Sequence, residues 1–189
     1  MNMRIVSDSS SNILELEGFD YKSVPLKIIS DSKEYVDTPD LDVAKMVEEM
    51  YKSHERFSTS CPNAYDWSKA FEGGENIFAV TITKHLSGCY GAAVNAAEDF
   101  KAENPNANIY VIDSLSTGGE MQLIIEKLIE LQKKGLPFEE IKDEITEYQK
   151  HTHLIFALRS LNNLAKNGRV NPAVAKIAGV LGIRITGMA

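Results

Sequence analysis

Short apolar runs and helically spaced apolar residues alternate along this chain. Residues 4–6, 24–29, 77–82, 109–112 and 154–158 form the runs, and their length and β-branched content predict strands. The run at 77–82 is apolar at successive positions, as a strand buried on both faces of a parallel sheet must be. Leu41, Ala44, Val47 and Met50 or Tyr51 fall at helical spacing behind Thr38-Pro39-Asp40, where the proline is pre-set for a first turn. After a polar break at 58–63, Ser87-Gly88 opens a helix to about Lys101, with Ala93, Ala96, Ala97 and Phe100 on one face. Thr117 and Glu120 have capping-box spacing before a helix to about Lys134. Phe138, Ile141, Ile145 and Tyr148 continue the pattern, and residues 160–167 form a helix closed by Gly168. Asn171-Pro172 begins the last helix, with Val174, Ile177, Val180 and Leu181 inward. This alternation predicts an α/β fold, a parallel sheet with helices on both faces.

In such sheets, ligands bind beyond the carboxyl ends of the strands. Three predicted strands end in hydroxyl-rich turns, at 7–11, 83–87 and 113–117, and Thr59-Ser60 adds a fourth cluster. Ser87 falls at an expected helix N-cap, beside backbone N–H groups without intrahelical partners. There it can cap its own helix or help hold an anion. Pro62 keeps Cys61 extended, so Thr59 and Ser60 can point at a ligand or satisfy their own loop. Ser7-Asp8-Ser9-Ser10-Ser11 reads equally as a helix-entry loop or a site.

Composition narrows the chemistry. The 189 residues carry 20 Lys and Arg against 27 Asp and Glu, a formal charge of −7 that argues against nucleic acid. With 43% hydrophobic residues the chain suits one domain that needs no disulfide or metal staple. No apolar stretch is long enough for stable membrane insertion, and the N-terminus turns polar at Ser7 before a signal-peptide core forms. Cys61 and Cys89 are too few for a secreted framework, so the expected setting is cytoplasmic with both thiols reduced. Gly-x-Ser-x-Gly and the glycine-rich nucleotide fingerprints are absent. His85 cannot align with Ser87 at i,i+2, and His151 with His153 on one strand face lack a third metal ligand. No catalytic residue, metal or cofactor is therefore expected. Cys89, two residues into a helix, reads either as an activated thiol or as a small packed side chain. Other function classes remain: a hydrolase or acyltransferase using Ser87 or Cys89, and a fragment without ligand.

Taken in order, the clusters resemble the DegV family, bacterial proteins that bind fatty acids. Ile5-Val6-Ser7-Asp8-Ser9-Ser10-Ser11 is similar to the family's opening strand and Asp-Ser-Ser loop. Phe57-Ser58-Thr59-Ser60-Cys61-Pro62 resembles its Thr-Ser-x-Pro motif, and Thr81-Ile82-Thr83-Lys84-His85-Leu86-Ser87-Gly88-Cys89-Tyr90 its strand followed by Leu-Ser-Gly-x-Tyr. Ile112-Asp113-Ser114 with Gly118-Gly119, Leu158-Arg159-Ser160-Leu161, and Lys166-Asn167-Gly168-Arg169-Val170 resemble later family segments. The resemblance implies a carrier that binds a long-chain fatty acid noncovalently. Thr59 and Ser87 would hold the carboxylate, with Ser60, Gly88 and Ser9 beside it and Arg169 near the head group. It also implies presentation of the acid to a separate fatty acid kinase. Cys61 stands for the family's usual Gln, Cys89 for Thr and Asn167 for Gly. Family members also carry a second lobe, so residues 1–170 are expected to form the head-group domain and 171–189 the start of an incomplete lobe. A partner protomer in a homodimer could cover the apolar face so exposed.

Overall fold

The computed structural model describes residues 2–30, 32–53, 56–158, 160–180 and 185–188. Its first elements are β1 (Arg4–Asp8), β2 (Asp20–Val24), β3 (Lys27–Ile29), β4 (Glu34–Val36), α1 (Val43–Lys52), β5 (Ser58–Ser60) and α2 (Ala64–Phe71). They continue with β6 (Asn76–Thr81), α3 (Cys89–Glu103), β7 (Asn108–Asp113), α4 (Gly119–Lys133) and α5 (Phe138–Tyr148). The last are β8 (Ile155–Leu158), α6 (Asn162–Lys166), α7 (Pro172–Val180) and β9 (Ile185–Met188).

Strands β2, β1, β6 and β7 form, in that order, a parallel sheet. Because successive strand side chains point to opposite faces, β6 sends Phe78 and Val80 one way and Ile77 and Ala79 the other. Phe78 and Val80 join Ile5 and Ile112 under Met121, Ile124 and Leu128 of α4 and Phe138, Ile141 and Ile145 of α5. Ile77 and Ala79 join Val6 under Trp67 and Phe71 of α2 and Ala93, Ala96 and Phe100 of α3. The alanines of α3 keep its inner face flat enough to lie close to the sheet. A small third core gathers Leu161, Ala175 and Ala178, next to the antiparallel pair β8–β9.

A second, antiparallel sheet, β4-β3-β5, stands beside the first. The predicted strand at 24–29 is divided between the two sheets. Pro25 lies at the break and has no N–H to give a ladder, so β2 ends at Val24 and β3 begins at Lys27. The polar break at 58–63 contains β5, an edge strand whose pairing runs through its backbone, Thr59 opposite Ile28. Helix α1 starts later than Thr38-Pro39-Asp40 implies, because Asp42 caps it by accepting the Lys45 N–H at 2.9 Å. Its buried residue is Met46, while Val47 and Tyr51 are exposed.

Several other readings also change. Thr117 and Glu120 form no capping box: Gly118, at φ 55°, is the cap of α4, and the Glu120 carboxylate accepts the Thr152 hydroxyl instead. Helix α6 begins at Asn162 rather than at 160. Helix α7 buries Ala175 and Ala178 and exposes Val174 and Ile177, while Leu181 lies outside the described residues. His151 sits in a single turn of 3-10 helix (Gln149–His151), paired with Glu147, so it is not on a strand with His153. Helix α2, with its Asn63–Asp66 capping box, and strands β4 and β9 had no counterpart in the sequence reading.

Phe78, fully buried and 4.6 Å from Phe138 between ring centroids, joins the sheet to α5. Phe78→Ala is expected to lower stability by about 3–5 kcal/mol, read as a fall in the urea midpoint at unchanged slope.

Candidate functional site

Strand β1 ends in Asp8, which is fully buried. Its carboxylate accepts the Ser10 N–H at 3.1 Å, the Ser10 hydroxyl, and the Ile82 N–H at 2.7 Å beyond the end of β6. The Cys89 thiol, at the start of α3, lies close by. Burial pushes the Asp8 carboxyl above its ordinary value, against the pull of these bonds. The chain behind it turns through Ser9–Ser11 to Asn12 in the left-handed region. After β6, Thr83 accepts the N–H groups of Leu86 and Ser87 on its carbonyl and that of His85 on its hydroxyl. This turn delivers Ser87 and Gly88 to the start of α3.

Gly88 is the cap of α3, and a side chain there would come within 3.2 Å of the Cys61 sulfur. Ser87 Oγ accepts the Cys89 N–H at 3.3 Å and donates to Cys89 Sγ at 3.2 Å. The expected cap therefore lies one residue further on, leaving the Ser87 hydroxyl at the helix mouth. On the far side, Arg169 Nε donates to the Leu86 carbonyl at 3.2 Å, and Asn167 Nδ2 donates to the Phe57 carbonyl at 3.0 Å. These two bonds bring the end of α6 against the 83–87 turn and the approach to β5.

Between these parts lies a cleft of 410 Å³. Leu26, Ile28, Met46, Met50, Phe57, Ile82, Leu86 and Leu164 supply its apolar wall. Ser10, Ser58, Thr59, Ser87, Asn163, Asn167 and Arg169 supply its polar groups. Three of the residues singled out by sequence, Thr59, Ser87 and Arg169, thus meet at one cavity. Ser9 does not line it; its hydroxyl accepts the Leu26 N–H at 3.0 Å, and the next residue, Ser10, faces the cleft. Ser60 and Gly88 are also outside the lining, and Ser60 Oγ donates to the Cys61 carbonyl at 3.4 Å. Sequence reasoning missed Met46 and placed Met50 on a helix face without assigning it to the cleft, although their i,i+4 spacing marks one face of α1.

A cavity lined by both apolar side chains and hydroxyl, amide and guanidinium groups suits an amphipathic ligand. It is poorly equipped for nucleophilic chemistry. Ser87 has a thiol and a backbone N–H as partners rather than an imidazole. Burial, Asp8 and Cys61 all push the Cys89 thiol up, leaving it protonated at neutral pH. Among the described residues, no group of three His, Cys, Asp or Glu side chains is arranged to hold a metal. Both cysteines are free, Cys61 half-buried and Cys89 buried. At about pH 8, an alkylating reagent is therefore expected to modify one thiol quickly in the folded protein, and Cys61→Ser to abolish that fast phase. Two equally fast thiols in mass spectrometry would contradict this environment for Cys89.

Comparison with known proteins places this geometry. The chain is 42% identical over 193 residues to a DegV domain-containing protein of Streptococcus gordonii, matching all of this chain and 69% of that relative. A DegV family protein from Eubacterium eligens, loaded with heptadecanoic acid, superposes with a TM-score of 0.92 at 43% identity, covering 99% of this chain and 68% of that one. The Fatty Acid Kinase B3 protein of Streptococcus pneumoniae, loaded with linoleic acid, gives a TM-score of 0.94 at 41% identity, covering 100% and 68%. No helix among the described residues is long and apolar enough to cross a membrane. The model of a family described as uncharacterised DegV proteins matches residues 2–188, and the chain belongs to the DegV family.

Proposed function

We propose that this chain binds a long-chain fatty acid noncovalently, with the carboxylate at Thr59, Ser87 and Ser10 and the tail along the apolar wall. The observation that carries the reading is the single cleft in which hydroxyls from three separate segments meet an apolar wall built by β3, α1 and α6. The heptadecanoic and linoleic acids named for its relatives supply the ligand class.

The division of labour follows from magnitudes. About fourteen buried methylenes at ~0.8 kcal/mol each give roughly 11 kcal/mol before the costs of association. The hydroxyls then orient the head rather than supply most of the affinity. Arg169, tied through Nε to the Leu86 carbonyl, places a positive charge at the cleft without closing a clamp on the acid. Neutral donors leave a carboxylate oxygen nucleophilic enough to attack a phosphoryl group. A carrier that hands its acid to a separate fatty acid kinase needs that property and no catalytic base of its own.

The relatives are longer, this chain matching 69% of the first. We assign the head-group motifs to residues 1–170 and the beginning of a second lobe, which closes the cleft's open side, to 171–189. The two are joined across that boundary by the β8–β9 pair and the Leu161–Ala175–Ala178 core. A second protomer is the other candidate cover. The low count of cysteines, both free, suits a cytoplasmic carrier.

Thr59→Ala and Ser87→Ala are each expected to weaken binding by about 1–2 kcal/mol, roughly 5- to 30-fold in Kd, measured by displacement of a fluorescent fatty acid. Unchanged affinity in the double variant removes this head-group site. Native mass spectrometry should detect a lipid adduct that delipidation removes. Steady ester turnover lost in Ser87→Ala would favour a hydrolase instead.

A further inference from the structure

The hydrogen-bond directions under the cleft do not suit an anion as they stand. A serine hydroxyl has one proton to donate. That of Ser10 goes to the Asp8 carboxylate, with Met121 Sδ 3.3 Å away as the alternative acceptor. An Asp8 anion therefore leaves Ser10 presenting lone pairs to the cleft. It also adds a buried negative charge below the place where a carboxylate would sit.

Three groups donate to Asp8, and they differ in kind. The N–H groups of Ser10 and Ile82 can only donate. The Ser10 hydroxyl can donate or accept. A proton added to Asp8 thus has a ready acceptor. It reverses the Asp8–Ser10 bond and frees the Ser10 proton to point into the cleft, with both backbone bonds kept.

We propose that Asp8 is a positioning residue that couples capture of an anionic head group to uptake of a proton, by reversing the donor direction of Ser10. The inference rests on the carrier reading and adds to it a discriminating device. A carboxylate draws a proton onto Asp8 as it binds, whereas an uncharged head group of the same chain length does not need one.

Titratable groups reach towards Asp8 from each element packed around it. From α3 comes Cys89, with Cys61 behind it, and Cys89 is itself pushed up by burial. From β2 comes Tyr21, held neutral by burial and bonded to Ser7 Oγ at 2.6 Å. The turn after β6 carries His85 and also Lys84, which pairs with Asp113 at 3.6 Å. Helix α4 carries Glu120, bonded to Thr152. Across the cleft Arg169 is bonded to the Leu86 carbonyl. None of these is a cation paired with Asp8, and burial raises its carboxyl, which favours the protonated form.

The sign follows from linkage. A bound anion raises Asp8 further, so affinity for the acid is greatest at low pH and declines above the pH at which ligand-free Asp8 loses its proton. Isothermal titration of the full chain with heptadecanoate, in buffers of different ionisation enthalpy between about pH 6 and pH 9, counts the protons taken up. Uptake should grow with rising pH towards about one per ligand, with Kd weakening by up to about tenfold per pH unit. Heptadecan-1-ol should show neither effect, and Asp8→Asn should remove both for the acid. Tight acid binding with no proton uptake at any pH overturns the coupling, and so does a pH slope that persists in folded Asp8→Asn. If Asp8→Asn does not fold, the wild-type proton count alone decides. Failure of the wild-type chain to bind acid and alcohol alike overturns the carrier reading itself, and this inference with it.

Discussion

A carboxylate without a counter-charge holds the working end of this molecule together. Asp8 closes β1 by taking the N–H of Ile82 from just beyond the neighbouring strand β6 and the N–H of Ser10 from its own turn. Burying a carboxyl is costly unless hydrogen bonds compensate it, and the three bonds to Asp8 supply that compensation. The bonds fix where two loops leave the sheet, one carrying Ser10 and the other Ser87. Without them the hydroxyls at the cleft would have no common frame.

The remainder of the fold holds that frame rigid. Two apolar cores sandwich β1 and β6, so the strand ends cannot move independently of α3 and α4. The other wall is lighter. Strand β5 is three residues long, and α1 turns Met46 and Met50 towards the cleft while Val43 and Tyr51 stay exposed. Rigid polar groups facing a thinner, methionine-bearing wall suit a ligand with a fixed head and a variable chain, since methionine repacks around irregular shapes.

Much of this was legible in the residues, for physical reasons. Runs such as 77–82 must be buried on both faces, and Ala93, Ala96 and Phe100 repeat at a helix period, so the parallel sheet and α3 could be read directly. What escaped depended on partners remote in sequence. Thr59 belongs to a strand because Ile28 offers its backbone, and no local pattern in Ser-Thr-Ser announces that pairing. Pro25 divides an apolar run that hydropathy alone treats as continuous. On α7, Val174 and Ile177 are the more apolar residues, yet Ala175 and Ala178 are the ones that pack with Leu161. Within the site, Thr59 and Ser87 were visible as motif residues. Choosing between Ser9 and Ser10 required knowing that the Leu26 N–H takes the Ser9 hydroxyl as its acceptor.

The account centres on an acyl carboxylate lying against alcohols from three segments above a buried acid. A crystal structure of this chain grown with heptadecanoic acid tests that most directly. The account predicts elongated density along Ile28, Met46 and Leu164, ending in a carboxylate within about 3 Å of the hydroxyls of Thr59, Ser87 and Ser10. A ligand whose carboxylate instead points to solvent, with its tail end against those three hydroxyls, would contradict it.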